Sequence, residues 1–216
     1  MVSSIYFKTS NLNGTVVKKN KVNISGKGNV LNGIFAAHCD FFVKYKSSKI
    51  EIEMGLTRLT NCSIHLYGRN CKVQIGEDCN LNHLSLWLED DGTEIIIGKH
   101  VTVTGSTHMA AIEGCRIIVG DDCLFSQDIE FRTGDSHSIL DSITGKRMNP
   151  SKDITLGRHV WIGHSVKVLK GASIGSNSII ATGSIITGKS FQDHVIIGGI
   201  GGRIIKENVD WCPERI

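Results

Sequence analysis

Gly134-Asp135-Ser136-His137-Ser138-Ile139 sets an imidazole beside a carboxylate and two hydroxyls in a polar stretch spanning residues 132–153. Neutral imidazole can take a proton from an attacking hydroxyl near neutral pH, which makes His137 a candidate general base. Asp135, Ser136 or Ser138 could orient the ring, with Asp135 and Ser136 the nearest supports. From residue type alone, an exposed loop histidine without a chemical role is the competing explanation. His108, in Gly105-Ser106-Thr107-His108-Met109, is a second candidate for the active centre and equally a candidate interface residue. His159 and His164 invite a metal reading, although such a site would need a third ligand from elsewhere. A cysteine could form an acyl-enzyme, but Cys79 and Cys123 fall where a small apolar side chain is required. Trp161 is a different kind of signal: an indole at an outward position must pack against another subunit or a substrate.

These positions acquire meaning from a repeat. Cut in sixes from Leu156, the chain reads LGRHVW, IGHSVK, VLKGAS, IGSNSI, IATGSI and ITGKSF. The first position is always aliphatic (Leu156, Ile162, Val168, Ile174, Ile180, Ile186) and the fifth is small or β-branched (Val160, Val166, Ala172, Ser178, Ser184, Ser190). A period of six fits neither an alternating strand nor an amphipathic helix. It fits a short strand and a sharp corner, three times per coil, with the aliphatic residue inside and the small one at the bend. Glycine in the second position allows a close backbone approach or an unusual φ.

Ile75-Gly76, Ile97-Gly98 and Val119-Gly120 repeat the signature at intervals of 22, as coils of eighteen enlarged by small loops. Val119 to Leu156 is 37 residues, two eighteens plus one, and 132–153 occupies the second eighteen. That segment either replaces part of a coil or protrudes from one. Stacked coils build a parallel β-helix, and about eight of them at ~4.8 Å would make a prism of roughly 40 Å. The expected organisation is one β-helix domain over 1–207, with irregular basic coils or a cap at 1–50, and a tail at 208–216.

Composition agrees with a globular chain rich in tight turns: 24 glycines, two prolines and 40% hydrophobic residues in 216. No apolar run approaches the ~18 residues of a membrane span, and the start lacks a signal-peptide core, so a cytoplasmic protein is expected, peripheral at most to a membrane. Seven cysteines without a CxxC pair argue for reduced thiols and against a zinc ribbon. Residues 1–50 hold eight lysines and one acid, net +7, so with a total of +3 the remainder carries −4. The basic segment is either a solvated face or an attraction to anionic glycans or lipid phosphates. Nothing resembles a nucleic-acid module.

The hexapeptide run, over roughly residues 60–207, resembles the left-handed parallel β-helix acyltransferases. The resemblance implies an all-β left-handed parallel β-helix that forms a homotrimer and binds acetyl-CoA between neighbouring prisms. GDSHSI, the Gly145-Lys146-Arg147-Met148-Asn149 loop and His159-Val160-Trp161-Ile162-Gly163 are similar to the polysaccharide O-acetyltransferases, including those acting on polysialic acid. In that group the loop histidine and the tryptophan form the active centre, which here implies His137 and Trp161. The implied reaction moves acetyl from acetyl-CoA to a sugar hydroxyl of a surface polysaccharide or its precursor. CoA carries the activated acyl group, so no metal is required. Lys170, Arg203 and Lys206 are the cations suited to CoA phosphates, and backbone at Ala181 and Gly183 could line the pantetheine arm. Arg132, Arg147 and Lys152 are candidates for touching an acidic carbohydrate acceptor. The family's usual Gly-Asn-Pro-Ala-Lys turn is replaced by Gly198-Gly199-Ile200-Gly201-Gly202-Arg203, without proline. An N-acetyltransferase acting on an amino sugar, a metal hydratase on the same prism and a non-enzymatic module are the alternatives.

Overall fold

The computed structural model describes residues 4–5, 21–24, 35–53 and 56–216, and the basic segment at 1–50 lies largely outside them. The chain winds as a left-handed parallel β-helix of about seven turns, without a helix among the described residues. Each turn lays one strand on each of three sheets. The first face runs from Ser4–Ile5 and Lys21–Ile24 through Asp40–Val43, Ser63–Leu66, Leu84–Leu88, Thr107–Ala111, Ile129–Arg132 and Lys167–Leu169 to Ile185–Ile186. The second face has seven strands among the described residues, from Lys49–Ile52 to Ser190–Phe191. The third carries Phe35–Ala37, Arg58–Thr60, Asn80–Asn82, Thr102–Val103, Leu124–Phe125, Trp161–Ile162, Ile179–Ile180 and Val195–Gly198.

All six first-position aliphatics point inward and are at most 3% exposed. Five of the six fifth positions are also buried, and Ser190, on the last coil, is exposed. Small residues are needed there because the next coil crosses directly above. Cys79 Sγ reaches the Gly98 carbonyl at 3.2 Å and Cys123 Sγ the Gly157 carbonyl at 3.4 Å, so the thiols act as compact donors. Burial raises these thiols to about 11 and about 12, which leaves them poor nucleophiles.

Two conformational signals share the corner between the second and third faces. Glycines at 76, 98, 120 and 157 have ordinary φ and are required by close approach alone. The left-handed residue comes two positions later, at Asp78, His100, Asp122, His159 and Asn177, each with φ between 55° and 59°. Asp, Asn and His tolerate this region better than other side chains, which explains why histidine recurs there.

Leu156 pairs directly with Val119, 37 residues earlier, and Lys167 pairs with Glu130. The interruption therefore replaces no coil. It is an insertion, residues 133–153, that leaves the stack at the corner between the first and second faces and returns to the same corner. At the C-terminal end, Arg203–Glu207 turns back antiparallel on Val195–Gly198. Gly199, Gly201 and Gly202, with φ of 82°, 81° and 63°, make that hairpin without a proline.

Candidate active site

The insertion is a wired loop. Leu140 bridges Arg147 in antiparallel sense, and Met148 N donates to Ile139 O at 2.8 Å. Asp141 Oδ1 caps the tip by accepting from Thr144 N at 2.6 Å and Ile143 N at 3.1 Å. The base of the loop hangs on Asn149, whose residue is 7% exposed. Its Nδ2 donates to Asp135 Oδ2 at 2.7 Å and to the His137 carbonyl at 2.8 Å, and its Oδ1 accepts from Ile139 N at 2.7 Å. Glu113, from the coil below, accepts from Arg147 at 2.5 Å and from Ser151 N at 3.1 Å. Lys170, from the coil above, pairs with Asp135. Lys170 and Asn149 hold the Asp135 carboxyl below its ordinary value, so the tie is complete above about 3.8 and is lost as pH falls below that.

Within this cage His137 is exposed, and its N–H closes a tight turn onto the Asp135 carbonyl at 2.8 Å, with Ser136 at φ 65°. Among the described residues none hydrogen-bonds the ring. Asp135 and Ser136 thus support His137 through the backbone, and not by orienting the imidazole as the sequence suggested. Asp135 is committed to Lys170 and Asn149, and Ser136 supplies the left-handed turn.

Beside the loop, Glu130, Arg132, Gly134, Asp135, Lys167 and Lys170 line an open groove of about 450 Å³ on the first face. Three cations meet two carboxylates there. His108 stands next to Glu130 on the adjacent strand, and burial together with the nearby Arg132 lowers its pKa and favours the neutral ring.

Trp161 is 40% exposed on the third face, the face opposite the corner that carries the loop. It sits between Leu124 and Ile179 in an outward apolar column. Trp211, from the tail, stacks on His159 with centroids 4.2 Å apart and lies 6.0 Å from Trp161. Trp211 Nε1 donates to the His159 carbonyl at 2.9 Å, and His159 Nε2 lies 3.0 Å from the Trp211 carbonyl. His159 and His164 do not lie on adjacent strands. They occupy the two corners flanking the strand Trp161–Ile162, because the left-handed corner position claims His159, while His164 contacts Ser165 Oγ at 2.7 Å. Among the described residues no three His, Cys, Asp or Glu side chains converge on a metal-sized site.

The family profile for the bacterial transferase hexapeptide (six repeats) matches residues 153–188. A polysialic acid O-acetyltransferase of Neisseria meningitidis is 30% identical over 181 residues, covering 74% of this chain and 84% of that one. The chain belongs to the hexapeptide-repeat acetyltransferases. The solved polysialic acid O-acetyltransferase OatWY shares the fold with a TM-score of 0.77 and 25% identity, over 94% of this chain and 92% of that one. A polysialic acid O-acetyltransferase of Escherichia coli O1:K1 is 37% identical over 121 residues, 56% of this chain, and the match spans only 39% of that protein's length.

On this hexapeptide-repeat acetyltransferase the candidate residues fall into two groups. Asp135, Ser136, His137, Arg147, Lys152 and Lys170 gather at the loop corner, with Arg132 and His108 on the adjoining first face. Trp161, Ala181, Gly183, Arg203 and Lys206 belong to the third face, its edge strand and the following corner. Lys170 is thereby separated from Arg203 and Lys206, with which it was grouped for CoA phosphates, because it projects at the loop corner and pairs with Asp135. The sequence reading missed Asn149 and Trp211. Trp211 carried no signal beyond its type, since the tail lies outside the repeat. Asn149 follows Arg147 in the quoted loop motif, but its burial under the loop depends on the fold.

Asn149→Ala removes the hydrogen bonds to the Asp135 carboxylate, the His137 carbonyl and Ile139 N, and a longer one from Arg147 Nε. Turnover is expected to fall about 10- to 100-fold, the scale of a slightly misplaced catalytic group. The KM for acetyl-CoA should stay unchanged, and Asn149→Asp, which turns a carboxylate oxygen onto the Asp135 carboxylate and the His137 carbonyl, should lose at least as much turnover. Steady-state kinetics of the two variants check this.

Proposed function

We propose that this acetyltransferase moves acetyl from acetyl-CoA to a hydroxyl of a surface polysaccharide or its precursor, in the cytoplasm, with His137 as general base. The observation that carries the reading is the exposed imidazole of His137 on a loop whose backbone is fixed by a buried asparagine. The acceptor O–H gives its proton to the imidazole as its oxygen attacks the thioester carbonyl carbon. The carbon–sulfur bond then breaks, and the imidazolium returns the proton to the CoA thiolate. Charge on the carbonyl oxygen is met by an N–H donor, and holding both substrates together supplies much of the acceleration. The printed activities of the meningococcal and Escherichia coli relatives support a polysaccharide acceptor.

The centre is completed by a second copy in a homotrimer. His137 and Trp161 of one chain face away from each other, whereas the loop corner of one prism can meet the third face of the next. The loop also exposes Ile139, Leu140, Ile143 and Met148, between 56% and 93%, a cluster that a partner would cover. The first test is acetyl-CoA titration followed by thiol release in the presence of acidic glycans. Binding without acetyl transfer to any glycan hydroxyl would remove the acceptor assignment.

Mixed oligomers test the shared centre. His137→Ala and Trp161→Ala chains, each impaired alone, should regain activity when unfolded together and co-assembled. Random pairing leaves about a quarter of the interfaces with both residues intact in a cyclic assembly. Activity no greater than the sum of the two parents would place the centre within one chain.

A further inference from the structure

The first face carries a feature that the transfer reaction leaves unused. Phe42, His65 and Trp87 occupy equivalent outward positions on three successive coils, in strict parallel register. Tyr67 leans over them from the adjoining corner. Ring centroids are 6.2 Å apart for Phe42–His65, 5.3 Å for His65–Trp87, 5.2 Å for Phe42–Tyr67 and 4.7 Å for Tyr67–Trp87. All four side chains are half-buried, so their faces remain partly open to the surface. Two of the polar edges lie at carboxylates. Trp87 Nε1 donates to Glu89 at 2.7 Å, and His65 Nε2 lies 3.3 Å from Asp40 Oδ2 without hydrogen-bond alignment.

The same column continues without a break in register. After Trp87 come Ala110, which leaves a notch, then Arg132 and Leu169, which line the groove beside the His137 loop. From Phe42 to Arg132 is four coil steps, about 19 Å at the usual strand spacing. One step is close to the length a hexose adds to an extended chain. The faces of pyranose rings present C–H bonds of partial positive charge, which suit the negative face of an aromatic ring. The track therefore offers stacking at one end and an excess of cations at the other, next to the candidate base.

We propose that Phe42, His65, Tyr67 and Trp87 form a platform that holds the distal units of an acidic glycan chain while a nearer unit is presented to His137. The platform rests on the acceptor reading above and deepens it, since it makes the enzyme prefer chains of several sugar units to single sugars. A second copy seated on the rings is the competing occupant.

The test compares wild type with Trp87→Ala and Tyr67→Ala on long and short oligomers of α-linked sialic acid. For the long acceptor KM should rise about tenfold, the size of one lost aromatic contact. The kcat and the KM for the short acceptor should not change, and Trp87→Phe should restore most of the loss. Retardation in a gel containing polysialic acid, without acetyl-CoA, gives an independent reading and should be weakened in the same variants. Equal KM shifts for long and short acceptors, or a lower oligomeric state in the variants, would overturn the platform. Retardation that depends on Trp87 in an enzyme that acetylates no glycan would keep the platform and sink the transferase reading. Turnover of glycans with no dependence on Trp87 or Tyr67 would do the reverse.

Discussion

His137→Ala is expected to lower turnover by about 10²- to 10⁴-fold, the usual contribution of a positioned general base. Acetyl-CoA affinity should be unchanged, because the candidate cofactor contacts are the backbone at Ala181 and Gly183 and the cations Arg203 and Lys206, none of which depends on the His137 ring. Stability should also hold within about 0.5 kcal/mol, as for surface substitutions that break no buried bond. Only the His137 backbone takes part in the cage, through its N–H to Asp135 and its carbonyl to Asn149, and alanine keeps both. His108→Ala serves as the comparison, since that ring borders the groove on the first face and is favoured in its neutral form by burial. If His108→Ala costs more turnover than His137→Ala, the base belongs on the first face, and the loop becomes a substrate clamp. Unchanged turnover in His137→Ala removes His137 from the mechanism.

The architecture was legible because its period is enforced at every coil. Ile162, Val168 and Ile180 must be aliphatic to fill a narrow prism, and Val160, Ala172 and Ser178 must be compact to let the next coil cross. The 22-residue intervals announced enlarged coils, and the extra residues do fall at corners. The 37-residue interval was ambiguous in sequence, because two coils of eighteen and one coil with an insertion have almost the same length. Only the direct pairing of Val119 with Leu156 distinguishes them. The site was legible in residue type and less so in arrangement. His137 is where the interruption suggested, but its support comes from Asn149, which lies inside the insertion, five residues before the next strand begins at Ile154, and is invisible to any six-residue period. His159 read as a metal candidate, because a left-handed corner and a ligand both favour histidine, and the sequence does not say which demand is being met.

The glycine column at the corner between the second and third faces predicts the second large effect, on stability. Gly120→Ala should cost at least the ~1–3 kcal/mol of an overpacked core. A Cβ there would lie 2.6 Å from the Gly157 carbonyl carbon and oxygen and 2.7 Å from Arg158 N. Those are backbone atoms of the next coil, pinned by Gly120 N donating to Leu156 O at 2.9 Å and Gly157 N donating to Ile174 O at 2.8 Å. No flexible side chain can yield, so a coil must rise or tilt, and the strain passes along the stack. Gly76 and Gly98 face similar backbone at 2.7–2.8 Å, so the column is a property of the corner and not of one turn. For a chain of this size each kcal/mol lowers Tm by about 2–4 °C, which puts the expected fall at about 2–12 °C by thermal denaturation. Gly183→Ala is the control. Its φ is +72°, but nothing lies within 4 Å, so it carries the left-handed cost of about 1–2 kcal/mol and no clash. No loss in Gly120→Ala would mean that the coils yield and that contact does not set the glycine requirement there. A larger loss at Gly120 would also reach function, since Gly157 leads through the His159 corner into Trp161, and a displaced corner moves the indole that a neighbouring His137 must meet.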